Sequence, residues 1–476
     1  MSIPPIPALP LTREAFAERE GAPIAIPPVR IVHIGLGAFH RAHQAWYTAQ
    51  ADEAGEWGIA AFTGRNATAA NELAPQGGLY TLIERSADGD VASVIPSIVE
   101  AVDGSDLRRF VELLAATSTA IVTTTITEPG YRLTADAQPN LDDDAVRADV
   151  DWLSSNLTDA APTAFDGGPT TTLGRLVLGL HARRLAGSGP LAVVPCDNMP
   201  DNGDFVAKGL TALAALANPE TAAWIADNVS FVSTSVDRIT PKTTAADIES
   251  ASRLSGWLDA APVVTAPFRD WVLSGNFPAG RPAWERAGAR FVEEIEPFER
   301  RKLWLLNGAH SLLAYAGRLR GHETVASAIA DETCLAWVNS FWDDAARNLP
   351  DGLDLDAYRA SLLERFTNAR IEHKLAQIGM EGVTKLRVRF VPVLLAERAG
   401  GREGAAGIRA IGSWLALVLS GASLPDAHAS QIEAALASGD QADEALLRLV
   451  DDRLVEDPEL IAAIRAVAAE STTAAA

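Results

Sequence analysis

Residues 29–43, Val29-Arg30-Ile31-Val32-His33-Ile34-Gly35-Leu36-Gly37-Ala38-Phe39-His40-Arg41-Ala42-His43, decide the fold. The apolar run of Val29, Ile31, Val32 and Ile34 predicts a short strand that stops at Gly35 and Gly37. The breaker-poor stretch from Phe39 to Ala54 predicts the helix that follows. A buried strand running into Gly-x-Gly and then a helix suits a dinucleotide. The first glycine permits the tight turn, the second lets backbone approach the pyrophosphate, and the helix start supplies amide donors. On this reading Gly35, Leu36, Gly37, Ala38 and Phe39 lie against the cofactor. A single Gly-x-Gly also fits an ordinary strand-to-helix turn. The chain places His40 where Gly-x-Gly-x-x-Gly has its third glycine, so close strand–helix packing must be achieved some other way.

Further apolar runs at 57–62, 119–126, 191–194 and 229–232 alternate with helical segments, the pattern of βαβ units and a mostly parallel sheet. From Phe291 onward the segments are long, alanine- and leucine-rich and helical in period. The expected fold class is α/β. A Rossmann-type dinucleotide-binding domain occupies residues 1–288, and a mostly α-helical substrate and catalytic domain occupies 289–476.

Composition narrows the function. A chain of 476 residues exceeds one ordinary domain, and 48% hydrophobic with 21% charged residues describes a soluble globular protein. A net charge of -22 argues against a nucleic-acid partner, which needs a basic face. An anionic small molecule requires only a local basic pocket. Two cysteines, Cys196 and Cys334, suffice for neither a disulfide framework nor a thiolate zinc cage. No signal peptide or membrane-length apolar run is visible, so the expected compartment is the cytoplasm. The expected partner is a small molecule, with neither nucleic acid nor membrane, and the protein is a monomer or small homo-oligomer.

Two places carry candidate chemistry. After the second strand, Arg65 stands where a 2′-phosphate would be met, which keeps NADP open beside NAD; stacking on adenine or plain solvation explains it equally. His40 and His43 lie three apart, but no third metal ligand is near, which favours packing or a place by the cofactor phosphates. In the segment 301–310, at roughly 100° per helical residue, His310 falls about 80° and Asn307 about 140° from Lys302. Leu303 and Leu306 share that sector, so Lys302 would be desolvated and drawn toward neutrality, as a base for an alcohol requires. Spacing alone favours a plainer account: a snorkelling lysine, a capping asparagine and a satisfied core histidine. Asn198, at the carboxyl end of a predicted strand, is either a second amide donor or a turn residue before Pro200.

Taken together, GLGAFHRAHQAWY, TITEPGY, PCDNMPDNG, SVDRITP, FRDWVLSGNFPAGRPAWE and KLWLLNGAH resemble, in order, the motifs of the polyol-specific long-chain dehydrogenases, among them mannitol 2-dehydrogenase and fructuronate reductase. The match spans nearly the whole chain and reverses the preference drawn from spacing. It implies metal-independent hydride transfer between NAD and a sugar-derived ketone or alcohol. Lys302 would be the acid/base, Asn198 and Asn307 the alkoxide pocket, His310 a substrate contact and Glu128 a residue on the proton path. Val236 and Asp237 fall at cofactor and substrate contacts, and Gln377 and Lys385 at substrate contacts. His373 and Gln377 resemble fructuronate reductases, whereas mannitol 2-dehydrogenases carry arginine at 377. The chain departs from the family at Glu381-Gly382-Val383, usually Asp-Gly-Ser, and at Arg387, often proline. Arg387 and Arg389 are either carboxylate ligands or surface cations. The alternatives are a mannitol or other polyol dehydrogenase and, in a different class, a non-catalytic dinucleotide sensor.

Overall fold

The computed structural model describes residues 8–64, 66–160, 162, 164–422 and 424–475. They form two compact units, Met1–Glu296 and Pro297–Ala476.

The first unit is built on six parallel strands: β1 (Val29–Ile34), β2 (Gly58–Phe62), β3 (Ile98–Val102), β4 (Ile121–Thr124), β5 (Leu191–Pro195) and β6 (Val229–Phe231). Their order in the sheet is β3-β2-β1-β4-β5-β6, the doubly wound arrangement in which strand order reverses between β1 and β4. Side chains alternate across the sheet. Val32, Ile34, Ala60, Phe62, Val122, Leu191 and Val193 pack on one face, against helices α3 (Leu107–Ala115), α4 (Thr172–Ala186) and α5 (Asn202–Ala217). Ile31, Ile59, Ala61, Ile121, Ala192 and Val194 fill the other, with Trp46, Tyr47, Trp271 and Trp284. Burial on both faces explains why the inner strands β2, β4 and β5 read as apolar or β-branched runs rather than as alternation.

The helix expected over 39–54 is two helices, α1 (Ala38–Ala42) and α2 (Gln44–Ala51), broken at His43, whose φ of −116° and ψ of −91° are not helical. Beyond β6 the chain makes a separate three-stranded sheet of β7 (Ser233–Asp237), β8 (Asp270–Ser274) and β9 (Arg290–Phe291). β7 runs antiparallel to β8. Asn202 stitches β7 to β5, its amide donating to Pro195 O (3.3 Å) and Thr234 O (3.1 Å) while Oδ1 accepts from Thr234 N (2.8 Å).

The second unit is helical. Its first helix starts as α6 (Glu296–Arg301), widens into a π-helix over Lys302–Gly308, returns to α-helix as α7 (Ala309–Leu312) and widens again over Leu313–Gly317. The helices that follow include α8 (Glu332–Arg347), α9 (Leu375–Ile378), α10 (Gly382–Arg389), α11 (Ala405–Leu419) and α12 (Ala442–Val450). No helix among the described residues is long and apolar enough to cross a membrane.

Candidate active site

The turn after β1 lies at the switch point of the sheet, where open α/β sheets bind ligands beyond the strands' carboxyl ends. Gly35 adopts φ +110°, and a Cβ there would collide with the carbonyl oxygen of Thr125 after β4. Two amides, Gly35 N and Leu36 N, both donate to Phe62 O at 2.9 Å. Gly37 differs. Its φ of −130° suits any residue, and a Cβ would meet nothing nearer than Gly35 O at 3.6 Å. Among the described residues nothing sterically requires glycine at 37. Because α1 has only five residues, backbone amides of the turn, rather than a long helix dipole, carry the anion argument. Arg65 lies outside the described residues.

The packing problem posed by His40 has an answer in the structure. His40 lies flat on His33 of β1, with ring centroids 3.4 Å apart and planes 8° from parallel. Both rings are fully buried, and burial holds His33 down to about 3 and His40 well below its usual range, so each is neutral. His43 is buried beside Phe39, Tyr47 and Trp271. The two histidines are packing residues.

Other sequence-predicted residues follow the strand ends. Glu128 begins a short 3₁₀ turn after β4 and is exposed. Asn198 is exposed beyond β5, in a turn held by Asp197, which accepts from Met199 N (2.9 Å) and the Tyr131 hydroxyl (2.5 Å). Val236 and Asp237 end β7 and are buried.

In the second unit Lys302 and Asn307 bracket the π-helix, both half-buried, and His310 follows on α7, fully buried. The expected angles assumed α-helical winding and need correcting. A π-helix bonds i to i+5, so Lys302 and Asn307, five apart, lie closer to one line than the α-helical reading allows. Distant donors sustain the wide turn: Trp342 Nε1 on α8 donates to Leu305 O (2.8 Å), and Arg389 Nη1 on α10 to Asn307 O (3.0 Å) and Ser311 Oγ (2.7 Å).

His310 sits in a basic enclosure. Its ring centroid is 4.8 Å from those of Phe366 and His373, and its Nε2 meets no partner among the described residues. Burial, then the neighbouring His373, Arg365, Arg389 and Lys385, push its pKa well down. Lys385 Nζ donates to Ile378 O (2.8 Å), and burial with Arg389 beside it lowers the ammonium to about 8. Gln377 on α9 is exposed.

Arg387 is neither a carboxylate ligand nor a plain surface cation. It donates to Val450 O and Leu449 O, both at 2.8 Å, and so caps the carboxyl end of α12. The departure at 381–383 is likewise structural. Glu381 precedes α10 in the left-handed region, its Oε2 accepting from Ala427 N (2.9 Å), and Val383 is fully buried.

Comparison with known proteins gives two family-profile matches. Residues 29–286 match the profile described as the mannitol dehydrogenase Rossmann domain, and residues 294–471 match the mannitol dehydrogenase C-terminal domain. The chain belongs to the mannitol dehydrogenase family. It is 37% identical to D-mannonate oxidoreductase of Escherichia coli (strain K12), over 78% of this chain and 76% of that one. It is 38% identical to mannitol 2-dehydrogenase of Aspergillus fumigatus, over 76% and 72% of the two chains. The solved ternary complex of Pseudomonas fluorescens mannitol 2-dehydrogenase with NAD and D-mannitol is 31% identical, with a TM-score of 0.75 over 99% of this chain and 96% of that one.

For this family member, sequence reasoning missed the basic enclosure, because Arg365, His373, Lys385 and Arg389 converge on His310 only through the fold. It also missed one group of potential metal ligands, His322, Asp331 and Cys334. Asp331 Oδ2 there accepts from Arg320 Nε (2.7 Å) and lies 3.0 Å from His322 Nε2, so the Arg320 guanidinium already neutralises the carboxylate. Both cysteines are buried, with thiols raised by burial, and neither is a ready thiolate.

The buried histidines predict acid lability. His33, His40 and His310 have folded pKa values depressed below the unfolded ~6.5, so the unfolded chain binds more protons between the two values. Their stabilisation is present above ~6.5 and is lost as pH falls toward the folded values, at about 1.4 kcal/mol per pH unit for each histidine. Urea melts at pH 7, 6 and 5 should show stability falling well before carboxylates titrate. A midpoint constant across that range would refute the burial argument.

Proposed function

We propose that this chain is an NAD-dependent dehydrogenase interconverting a sugar-derived ketone and its secondary alcohol, with fructuronate and mannonate as the substrate pair. Membership of the family supports the oxidoreductase class, and the P. fluorescens relative solved with NAD supports the cofactor. NADP remains a second cofactor to assay, since Arg65 suits a 2′-phosphate. The dinucleotide fits the turn at Gly35–Gly37, and when bound it supplies the hydride acceptor or donor.

The chain's own residues do the rest. Neutral Lys302 takes the hydroxyl proton as the carbon is oxidised, and its ammonium returns a proton in reduction. The amides of Asn198 and Asn307 hold the developing alkoxide. The neutral imidazole of His310 accepts or donates a hydrogen bond at Nε2, which meets no partner among the described residues, orienting a neighbouring hydroxyl. Asp237 and Gln377 are further substrate contacts, and Glu128 belongs to the proton path.

The observation that carries the uronate is the enclosure of His310 by His373, Arg365, Arg389 and Lys385 in a chain of net charge -22. Such a pocket favours a carboxylate over a neutral polyol. The similar identities to the mannonate and mannitol enzymes do not separate the two. Purified protein assayed by NADH and NADPH absorbance with fructuronate, tagaturonate, fructose and xylulose decides. Fructose preferred over both uronates would overturn the proposal.

A pH dependence follows. Lys385 loses its proton near pH 8, so a carboxylate it helps to hold should bind less well above that value. The uronate KM is expected to rise about tenfold by pH ~9.5, the loss of one charge-assisted hydrogen bond. The KM for a neutral ketose should stay flat. Parallel rises for both would assign the effect to another group.

A further inference from the structure

Beneath the turn after β1 lies a hydrogen-bonded chain of side chains that the proposed reaction does not use. Thr125 Oγ1 is 2.8 Å from Gly35 O and 2.9 Å from His33 Nε2, and His33 Nδ1 is 2.8 Å from Thr123 Oγ1. The protons in this chain can be placed. A carbonyl only accepts, so the 2.8 Å contact between the Thr125 hydroxyl and Gly35 O needs the hydroxyl proton between them. Thr125 then has only lone pairs to offer His33, so Nε2 carries the imidazole proton. Nδ1 is bare and accepts from the Thr123 hydroxyl. His40 lies flat against one face of the same ring.

This chain fixes one peptide plane. The unit joining Gly35 to Leu36 is held at its carbonyl by Thr125 and at its N–H by Phe62 O. The amides that follow, those of Gly37 and Ala38, belong to the stretch assigned to the pyrophosphate. Gly35 is also pressed against the Thr125 backbone, so the turn cannot relax toward β4.

We infer that His33 and Thr125 are positioning residues for the dinucleotide, transmitting the neutral Nε2–H tautomer of a buried histidine to the geometry of the phosphate turn. The inference rests on the dinucleotide reading proposed above. Thr125→Val keeps shape but removes the hydroxyl, leaving His33 Nε2–H and Gly35 O without each other's bridge. Thr125→Ser restores it.

The test combines two measurements on the full-length protein. NADH binding, followed by fluorescence, is expected to weaken roughly tenfold in Thr125→Val and to recover in Thr125→Ser, with KM for the nucleotide moving far more than kcat. Imidazole ¹⁵N spectra of the wild type should show His33 protonated at Nε2 and bare at Nδ1. A Thr125→Val protein that loses thermal stability yet binds NADH within twofold of wild type would make the contact merely structural and overturn the inference. So would a His33 proton on Nδ1. Wild-type protein that binds no NADH would overturn the dinucleotide reading itself, and the tautomer spectrum, which needs no nucleotide, separates that failure from a failure of the relay.

Discussion

Lys302→Ala should lower turnover by roughly 10²- to 10⁴-fold, the usual contribution of a positioned acid/base, while NADH binds as tightly as before. The side chain is half-buried at the start of the π-helix, in the second unit. Stability should change little, because no core packing is removed. The π-helix makes the prediction specific. Seven residues wound this way forgo ordinary α-helical bonding, and π segments collect at functional sites. Here Trp342 and Arg389 satisfy the carbonyls of Leu305 and Asn307, and the ring of Phe341 occupies the space where a side chain at Gly308 would go. The wide turn is therefore enforced by three other helical positions, which is the expected arrangement if it serves to bring Lys302 and Asn307 toward one line. Trp342→Phe removes a donor and should reduce kcat by less than Lys302→Ala. Near-normal turnover in Lys302→Ala, measured with the preferred substrate at saturating NADH, would remove the lysine from the mechanism.

Legibility in the sequence tracks how local the cause is. The strand at 29–34, with its glycine turn, could be read because burial on both faces leaves a mostly apolar run that ends at Gly35, a glycine with a steric reason. The same burial holds for β2, β4 and β5; the edge strand β6 is mostly half-buried and was found from the apolar run at 229–232. The edge strand β3 escaped notice: Ile98-Val99-Glu100-Ala101-Val102 is mostly half-buried and carries a glutamate paired with Arg109, so it lacks that signature. The break at His43 was also invisible, since nothing in Phe39 to Ala54 disfavours helix; packing against Trp271 and Tyr47 imposes it. At the chemical end the residue types were readable and their geometry was not. A face computed at α-helical pitch cannot anticipate a π-helix whose donors lie 37 and 82 positions away in the chain. The basic enclosure of His310 is non-local for the same reason, and it bears most directly on substrate choice.

Gly35→Ala and Gly37→Ala should fail in different ways, and the contrast separates what the fold needs from what the ligand needs. At position 35 a methyl group meets the Thr125 carbonyl at the switch point, with the backbone at φ +110°. Strain of this kind costs of order 1–3 kcal/mol before the clash is counted. The turn would have to move, and with it the β1–β4 contact and the stacked pair His33–His40. The first unit should therefore melt at lower denaturant and bind no NADH. At position 37 the backbone is already in a region alanine adopts freely, and the new methyl has open space around it, with Gly35 O at 3.6 Å. The only intrinsic cost is the poorer helix cap that alanine makes, about 1 kcal/mol. Melting of Gly37→Ala should thus lie close to wild type. NADH affinity should nevertheless fall by roughly a hundredfold or more, because a methyl group stands where the pyrophosphate must approach the backbone. Denaturant melts and NADH titrations of the two variants side by side provide the measurement. If Gly37→Ala bound NADH like wild type, the glycine would have no ligand to answer to, and the nucleotide would have to be sought elsewhere on the sheet edge.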